Sequence, residues 1–138
     1  MKKNNSVVES IHIARKTMQK ADNLICSKYK VACHSDLSIE DMSKFDTNMC
    51  YFIYDSIKWI RNSITLINEK IDGGFESLNK ARKIIEQAQQ SMSDKYKVED
   101  GWDLSAKGMS QFDCDIFSYL SDSMRSVMHS LDQITKGQ

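Results

Sequence analysis

Apolar and small residues recur along the chain at steps of three and four, which is the spacing of one helical face. A shorter series is followed by a longer one, and the same pair of patterns returns in the second half of the chain. The spacing predicts four helices, over residues of about 6–29, 38–71, 75–96 and 105–135.

The same periodicity predicts which side chains form the core. In the first and third helices these are Ile11, Ala14, Met18, Ala21 and Ile25, and Leu78, Ala81, Ile85, Ala88 and Met92. In the second and fourth they are Met42, Phe45, Met49, Ile53, Ile57, Ile60, Ile64 and Ile67, and Met109, Phe112, Ile116, Leu120, Met124, Val127, Leu131 and Ile134.

Capping signals suggest where the long helices begin and end. Ser38 is the expected N-cap of the second helix, with Asp41 three residues later and Leu37 packing on Met42. The second half offers Ser105 as the N-cap, with Leu104 and Met109 as the apolar pair. The Asp72-Gly73-Gly74 segment is expected to end the second helix, because glycine tolerates the left-handed conformation.

The two halves are also related in sequence. With a shift of 67 residues and no gap, 21 of 59 positions from Glu9 to Ile67 are identical, against roughly three or four by chance. This predicts a tandem duplication of a helical hairpin, with one copy over about 6–71 and the other over about 73–138.

One hairpin cannot bury its own apolar stripe, whereas two hairpins can bury each other's. The predicted fold is therefore all-α: an antiparallel four-helix bundle with pseudo-twofold symmetry, forming a single domain over 1–138. A domain-swapped or fused-dimer arrangement of the same helices stays open.

Composition narrows the class of protein without naming an activity. The 138 residues are 41% hydrophobic and 28% charged and include no proline, which favours a helical globular domain over a disordered chain. No apolar run reaches the length of a membrane span, and the N-terminus lacks an apolar signal core, so a cytoplasmic protein is expected.

Charge is balanced overall but not between the halves. The 19 basic residues equal the 19 acidic ones, so no global field points to nucleic acid or to an anionic membrane. Residues 1–71 carry 11 basic and 8 acidic side chains, a net +3, and residues 72–138 carry 8 and 11, a net −3. This polarity could orient a partner, although drift of a solvated surface also explains it.

The second helix differs from its counterpart on its outer face. Four large side chains stand where the fourth helix has small or polar ones: Tyr51, Tyr54, Trp59 and Leu66 against Ser118, Ser121, Ser126 and Gln133. A helix that is apolar nearly all round must bury more than one side. We therefore expect the four side chains, with Lys58 and Asn62 beside them, to contact a partner protein or a second copy of the chain. Alternatively, the second helix lies at the centre of the bundle and buries this face there.

The cysteines and histidines form no recognisable catalytic or metal motif. Four cysteines (Cys26, Cys33, Cys50 and Cys114) show no C-x-x-C spacing and are not shared between the halves, so reduced structural thiols are expected. Glu9 and His12 have the E-x-x-H spacing of di-iron bundles, but the matching carboxylates are missing. His34 and His129 have no evident partner in the sequence, and neither a metal nor a cofactor is predicted.

A basic-aromatic cluster recurs near the end of each first helix: Lys28-Tyr29-Lys30 and Lys95-Tyr96-Lys97. Cations at that place complement the helix dipole and can bind terminal carbonyls. Alternatively, the two clusters could bind nucleic acid, with lysine on phosphate and tyrosine stacked on a base.

The leading functional hypothesis is a small, non-catalytic helical interaction protein, such as an adaptor, a chaperone-like factor or an inhibitor. It would bind a protein partner, or a second copy of itself, through the outer aromatic face of the second helix. Nucleic-acid binding through the two Lys-Tyr-Lys clusters is the alternative.

Overall fold

The computed structural model describes residues 2–98 and 108–137, which contain four α-helices and no strand. The helices are α1 (Lys2–Lys28), α2 (Lys44–Asn68), α3 (Gly74–Tyr96) and α4 (Gln111–Lys136). Two short 3-10 turns, His34–Asp36 and Ile39–Asp41, lie in the connection between α1 and α2. The prediction of an all-α, four-helix protein is confirmed.

Each helix packs against two others. α2 and α4 both contact α1 and α3, and the most extensive contacts are between α2 and α3 and between α1 and α4. The side chains at these contacts form one apolar core. None of the helices in the described ranges is both long enough and apolar enough to cross a lipid bilayer.

The predicted core is largely confirmed. All ten core positions predicted on α1 and α3 have no exposed surface. On α2 and α4 the buried members are Met49, Ile53, Ile57, Ile60 and Ile64, and Ile116, Leu120, Val127 and Leu131. The remaining predicted positions pack against this core while partly exposed: Met42, Phe45, Ile67, Met109, Phe112, Met124 and Ile134.

The start of the second helix was predicted wrongly. α2 begins at Lys44, and its N-cap is Ser43, whose hydroxyl accepts a hydrogen bond from the Asp46 backbone N–H at 3.1 Å. Ser38 instead precedes a 3-10 turn and caps nothing with its side chain. The reason is that Asp46, at the third position of α2, is held by side chains from the end of α1, which fixes where the helix begins.

α4 begins in the same way. Its N-cap is Ser110, which accepts a hydrogen bond from the Asp113 backbone N–H at 3.1 Å, and the helix starts at Gln111 and not near residue 105. The predicted cap Ser105 and its neighbour Leu104 lie outside the described residues.

Lysines occupy the left-handed position after three of the helices. Lys30, Lys70 and Lys97 have φ values of 57°, 56° and 56°. At each end the following residue donates a backbone hydrogen bond five residues back, as Ile71 does to Leu66, which is the Schellman arrangement. α2 therefore ends at Asn68 through Lys70, and not through the Asp72-Gly73-Gly74 segment that was predicted to end it.

The two glycines serve the start of α3. Gly73 is its N-cap, with φ of +109°, a conformation that side-chain-bearing residues rarely adopt. Gly74 is buried, and a Cβ atom at that position would stand 2.7 Å from Cγ1 of Ile67. The missing side chain thus lets α3 begin directly against the end of α2.

Replacing Gly74 by alanine is expected to destabilise the bundle, because the new methyl group overlaps the branched Ile67 side chain. Overpacking of this kind costs about 1–3 kcal/mol in the free energy of unfolding, measured by urea denaturation. Ile67→Ala opens the space, so the double variant should lose less stability than the two single losses added together. Simple additivity would show that the contact is not strained.

Candidate functional site

Asp46 is a buried residue at the centre of a partly buried polar network where α1 ends and α2 begins. Its side chain is 1% exposed. One carboxylate oxygen, Oδ2, accepts hydrogen bonds from Lys28 Nζ at 2.7 Å and from the Tyr29 hydroxyl. The Tyr29 oxygen in turn accepts the backbone N–H of Ser43, so the last residues of α1 are tied to the N-cap of α2.

Asp113 has the same set of contacts where α3 ends and α4 begins. Lys95 Nζ lies 2.7 Å from its Oδ2 atom, and the Tyr96 hydroxyl donates to the same oxygen. The Tyr96 oxygen accepts the backbone N–H of Ser110. Both buried aspartates are therefore held alike: a lysine and a tyrosine bind the carboxylate, and the capping serine accepts the backbone N–H.

The two networks also touch each other. Lys28 Nζ stands 4.2 Å from the ring centroid of Phe112, and Lys95 Nζ stands 4.2 Å from that of Phe45. Each cation thus pairs with an aspartate of the adjacent helix and lies over a phenylalanine of the other half. This reciprocal exchange joins the two helical hairpins at one end of the bundle.

Protonation in the first network follows from these contacts. Burial alone would raise the pKa of Asp46, but the hydrogen bonds from Lys28 and Tyr29 hold it below its ordinary value of 3.8. Burial would likewise lower the pKa of Lys28, and the Asp46 bond outweighs it, so that pKa is raised above 10.5. The Asp46–Lys28 pair is therefore ionised over the whole neutral range.

The two Lys-Tyr-Lys clusters are mostly used inside the fold. Lys28 and Lys95, with Tyr29 and Tyr96, bind aspartates and not the helix-terminal carbonyls that sequence reasoning suggested. The third residue of each cluster, Lys30 or Lys97, is exposed in its left-handed turn.

The predicted partner-binding residues divide into two groups. Tyr51 and Tyr54 are 48% and 49% exposed on the outer face of α2, and Lys58 and Asn62 are exposed farther along it. Trp59 and Leu66 are only partly exposed; Trp59 packs against the core. The outer face is thus apolar mainly in its first half.

Trp59 lies in the groove between α2 and α3. Lys80 of α3 places its Nζ 4.3 Å from the Trp59 ring centroid. The Ser77 hydroxyl donates to the Trp59 backbone carbonyl and accepts from Asn62 Nδ2, both at 2.9 Å. Trp59 and Asn62 therefore contribute mainly to the packing of α2 against α3.

The exposed tyrosines border the connection between α1 and α2. Ile39, in the second 3-10 turn, is 57% exposed. A cavity of about 110 Å³ beside it is lined by His34, Leu37, Ile39, Met42, Thr47, Cys50 and Tyr51. The His34 ring stacks on Tyr54, with centroids 4.2 Å apart and planes 13° apart. Connection and helix therefore form one continuous surface.

His34 has partners that sequence reasoning did not find. Its Nδ1 atom lies 3.0 Å from Oδ1 of Asp22, on α1, and 3.4 Å from Sγ of Cys50, on α2. Asp22 and Cys50 are 4% and 6% exposed. Burial, with Asp22 and Cys26 nearby, raises the pKa of the Cys50 thiol to about 12.

This triad differs from a catalytic Cys-His-Asp relay. In the relay the histidine uses one ring nitrogen for the acid and the other for the nucleophile, whereas Asp22 and Cys50 approach the same nitrogen of His34. The neutral, buried thiol is also a poor nucleophile.

The remaining candidates are scattered. Glu9 is exposed and His12 half-buried on α1, and His129 is exposed on α4. All four cysteines are free thiols; Cys26 and Cys50 are buried as expected of structural thiols, while Cys33 and Cys114 are exposed.

The chain was compared with models of protein families, with curated proteins and with solved structures, and none of the three comparisons finds a match.

Removing Lys28 leaves the Asp46 carboxylate buried without its cation. Since the Lys28 side chain is 42% exposed and partly screened, Lys28→Met is expected to cost about 1–2 kcal/mol in the free energy of unfolding at pH 7. Lys95→Met should behave alike. The matched control is Lys136→Met, which breaks an exposed ion pair with Asp132 and should cost about 0–1 kcal/mol.

The sign of the pH dependence follows from the lowered pKa of Asp46. Its contribution is complete above pH 3.8 and is lost as the pH falls through the lower value that applies in the folded state. The stability difference between wild type and Lys28→Met should therefore be constant from about pH 5 to 9 and shrink in acid. A difference that persists unchanged at pH 2 would contradict the ion pair.

Proposed function

We propose that the protein is a non-catalytic helical interaction module that associates with a second copy of itself through the outer face of α2. The observation that carries the proposal is the pair Tyr51 and Tyr54, both about half exposed on neighbouring turns of one helix. Tyrosine combines apolar area with a polar hydroxyl and is enriched in interface hot spots.

The fold does not need large side chains at these positions. The residues 67 positions later, Ser118 and Ser121, stand on α4, which packs against α1 and α3 with the same periodicity. The tyrosines of α2 are therefore additions to a surface that its counterpart covers with hydroxyl groups. Ile39, also exposed, extends the same apolar area.

A second copy fits this face because the face is self-complementary. Along the exposed side of α2 the order is Tyr51, Tyr54, Asp55, Lys58, Arg61 and Asn62. Antiparallel pairing of two such helices around their midpoint places Tyr54 of one copy beside Lys58 of the other, and Asp55 beside the same lysine. A twofold interface requires this kind of self-matching.

The other residues predicted to bind a partner contribute less to the proposed dimer contact. Lys58 lies within the proposed contact, and Asn62 and Trp59 lie at its edge, because both also bind within the α2–α3 groove. Leu66 approaches Gly73 at the end of α2 and stands apart from the contact.

Protein binding is favoured over the nucleic-acid alternative by the contacts of the lysines. Lys28 and Lys95 are already paired with buried aspartates, so binding a phosphate would require each to leave a carboxylate without its cation.

We further propose that the two halves arose by tandem duplication and are related by a pseudo-twofold axis. In support, Asp46 and Asp113 have matching lysine, tyrosine and serine partners at equal spacing. The reciprocal contacts of Lys28 with Phe112 and of Lys95 with Phe45 are also what such an axis would generate.

The test is the solution mass by light scattering across a concentration series, for wild type and for Tyr51→Ser/Tyr54→Ser. The wild type is expected to be a concentration-dependent dimer and the double variant a monomer of unchanged helicity. The variant is expected to keep its helices because both side chains are about half exposed and serine occupies the matching positions of α4, although Tyr54→Ser also removes the ring that stacks on His34. Ile13→Ser, which removes a 56% exposed side chain from α1, is the matched control and should remain dimeric.

Two results would contradict the proposal. If the wild type stays monomeric at the highest concentrations, self-association is wrong, and the outer face of α2 would have to bind a different protein. A dimer that survives the tyrosine changes but dissociates in Ile13→Ser would place the contact on α1.

A further inference from the structure

Three side chains with the donor atoms that zinc prefers meet under the outer face of α2. Asp22 comes from α1, Cys50 from α2, and His34 from the 3-10 turn between them. The three potential ligand atoms, a carboxylate oxygen, a thiol sulfur and a ring nitrogen, all lie within 4.8 Å of one another. The cluster is largely buried, so the ligands converge from separate elements and not from one exposed surface.

The spacing of these atoms suits a tetrahedral ion. Zinc binds nitrogen and oxygen ligands at about 2.0–2.1 Å and thiolates at about 2.3 Å, which puts neighbouring ligand atoms about 3.3–3.6 Å apart. The observed separations from Nδ1 are 3.0 Å to Asp22 Oδ1 and 3.4 Å to Cys50 Sγ. The third separation, from Asp22 Oδ1 to Cys50 Sγ, is at most 4.8 Å, so these two side chains would have to approach each other by up to about 1 Å to enclose an ion.

The hydrogen bonds within the cluster leave either the thiol or the carboxylate incompletely paired. A single ring nitrogen carries either one proton or one lone pair, so Nδ1 cannot fully satisfy both an acceptor and a donor. If it donates to Asp22, the Cys50 thiol has no good acceptor there; if it accepts from Cys50, the buried Asp22 carboxylate loses its donor. Within residues 2–98 and 108–137, Nδ1 is the one hydrogen-bond partner of that carboxylate, whereas Asp46 has a lysine and a tyrosine.

The surroundings of His34 hold its ring in place. The stacking on Tyr54 fixes the ring plane, so that Nδ1 faces Asp22 and Cys50. Contacts that orient a ligating histidine are a regular part of metal centres.

The cluster is confined to the first half of the chain. The residues 67 positions after Asp22, His34, Cys50 and Tyr54 are Gln89, Gly101, Phe117 and Ser121, none of which is a usual zinc ligand. The lysine, tyrosine and serine contacts of the buried aspartates, by contrast, occur in both halves. The Asp22–His34–Cys50 cluster is thus specific to the first half and is not one of the contacts that the two halves have in common.

We propose that Asp22, His34 and Cys50 form a binding site for a zinc-type transition-metal ion. His34 binds through the Nδ1 lone pair while its ring proton resides on Nε2, and Cys50 binds as the thiolate after its proton passes to solvent. Asp22 supplies a carboxylate oxygen. Three protein ligands leave the fourth tetrahedral position to water or to an external ligand.

The site separates zinc-type ions from the hard cations. A thiolate and an imidazole favour Zn²⁺, Co²⁺ and Cu²⁺, whereas Mg²⁺ and Ca²⁺ require oxygen ligands. Because the ion would link α1, the connection and α2, binding should also raise the melting temperature.

The experiment is a titration of the reduced, metal-free full-length protein with Co²⁺, followed by displacement with Zn²⁺ against a chromophoric chelator. We expect one ion per chain, a thiolate-to-cobalt charge-transfer band, and the intense visible bands of a tetrahedral site. Zn²⁺ should raise the melting temperature, and Mg²⁺ should not. Absence of saturable binding, or binding without the thiolate band, would overturn the proposal.

Variants identify the ligands. Cys50→Ser should abolish the charge-transfer band, and His34→Gln and Asp22→Asn should weaken binding by more than about 100-fold, beyond the loss usual for outer contacts. Cys33→Ser and His129→Gln remove an exposed thiol and an exposed imidazole outside the cluster and should bind as wild type. Loss of binding in either control would place the ion elsewhere.

Two further measurements keep the test decisive. Circular dichroism shows whether each variant retains its helices. If a buried variant does not fold, X-ray absorption on the zinc-loaded wild type reports the ligands directly: one sulfur with nitrogen or oxygen neighbours is expected, and a shell without sulfur contradicts the site. Because Tyr54 contacts both His34 and the proposed dimer face, metal binding is measured on protein with both tyrosines intact, and dimerisation is measured on metal-free protein.

Discussion

The packing of the two helical hairpins depends on two buried carboxylates, Asp46 and Asp113. Each lies at the start of a long helix, where the backbone N–H groups and the helix dipole favour a negative charge. Burying a charge is costly unless it is paired and hydrogen-bonded, and here a lysine and a tyrosine from the preceding helix supply the partners. The same lysines lie over Phe112 and Phe45 of the opposite hairpin. One set of interactions therefore does three things. It fixes where α2 and α4 begin, ties the two helices of each hairpin together, and joins one hairpin to the other.

The core could be predicted from sequence because burial on helices has a simple period. The small alanines of α1 and α3 and the large side chains of α2 and α4 fall at that period, and their burial follows from it. The helix starts could not be predicted so well, since Ser38 and Ser43 are both good N-cap residues. The choice between them is made by Asp46 and its contacts with Lys28 and Tyr29, 18 and 17 residues away. Identity between the halves does not decide the choice, because Ser38 and Ser43 both match serines in the second half, Ser105 and Ser110; it does mark Lys28, Tyr29 and Asp46 as residues that the two halves share.

The Asp22–His34–Cys50 cluster left no such signal. Its members come from three different elements, separated by 12 and 16 residues, and no local motif has that spacing. Only the route of the connection through two 3-10 turns brings His34 back over Asp22 and Cys50. The exposed Tyr51 and Tyr54 were found from the sequence because they differ from their counterparts in the other half. Differences between the halves therefore point to the residues on which both proposals depend.

The central claim is that residues common to both halves hold the fold, whereas residues unique to the first half carry function. Its first part is tested most directly by the free energy of unfolding of one combined variant, Asp22→Gln/His34→Gly/Tyr51→Ser/Tyr54→Ser, which places the second half's residues at four of the positions to which function is assigned. Measured at a dilution where the wild type is monomeric and metal-free, it should remain within about 1–2 kcal/mol of wild type, in the range of ordinary substitutions. Loss of the cooperative unfolding transition would contradict the claim, because it would show that these residues are needed for the fold itself.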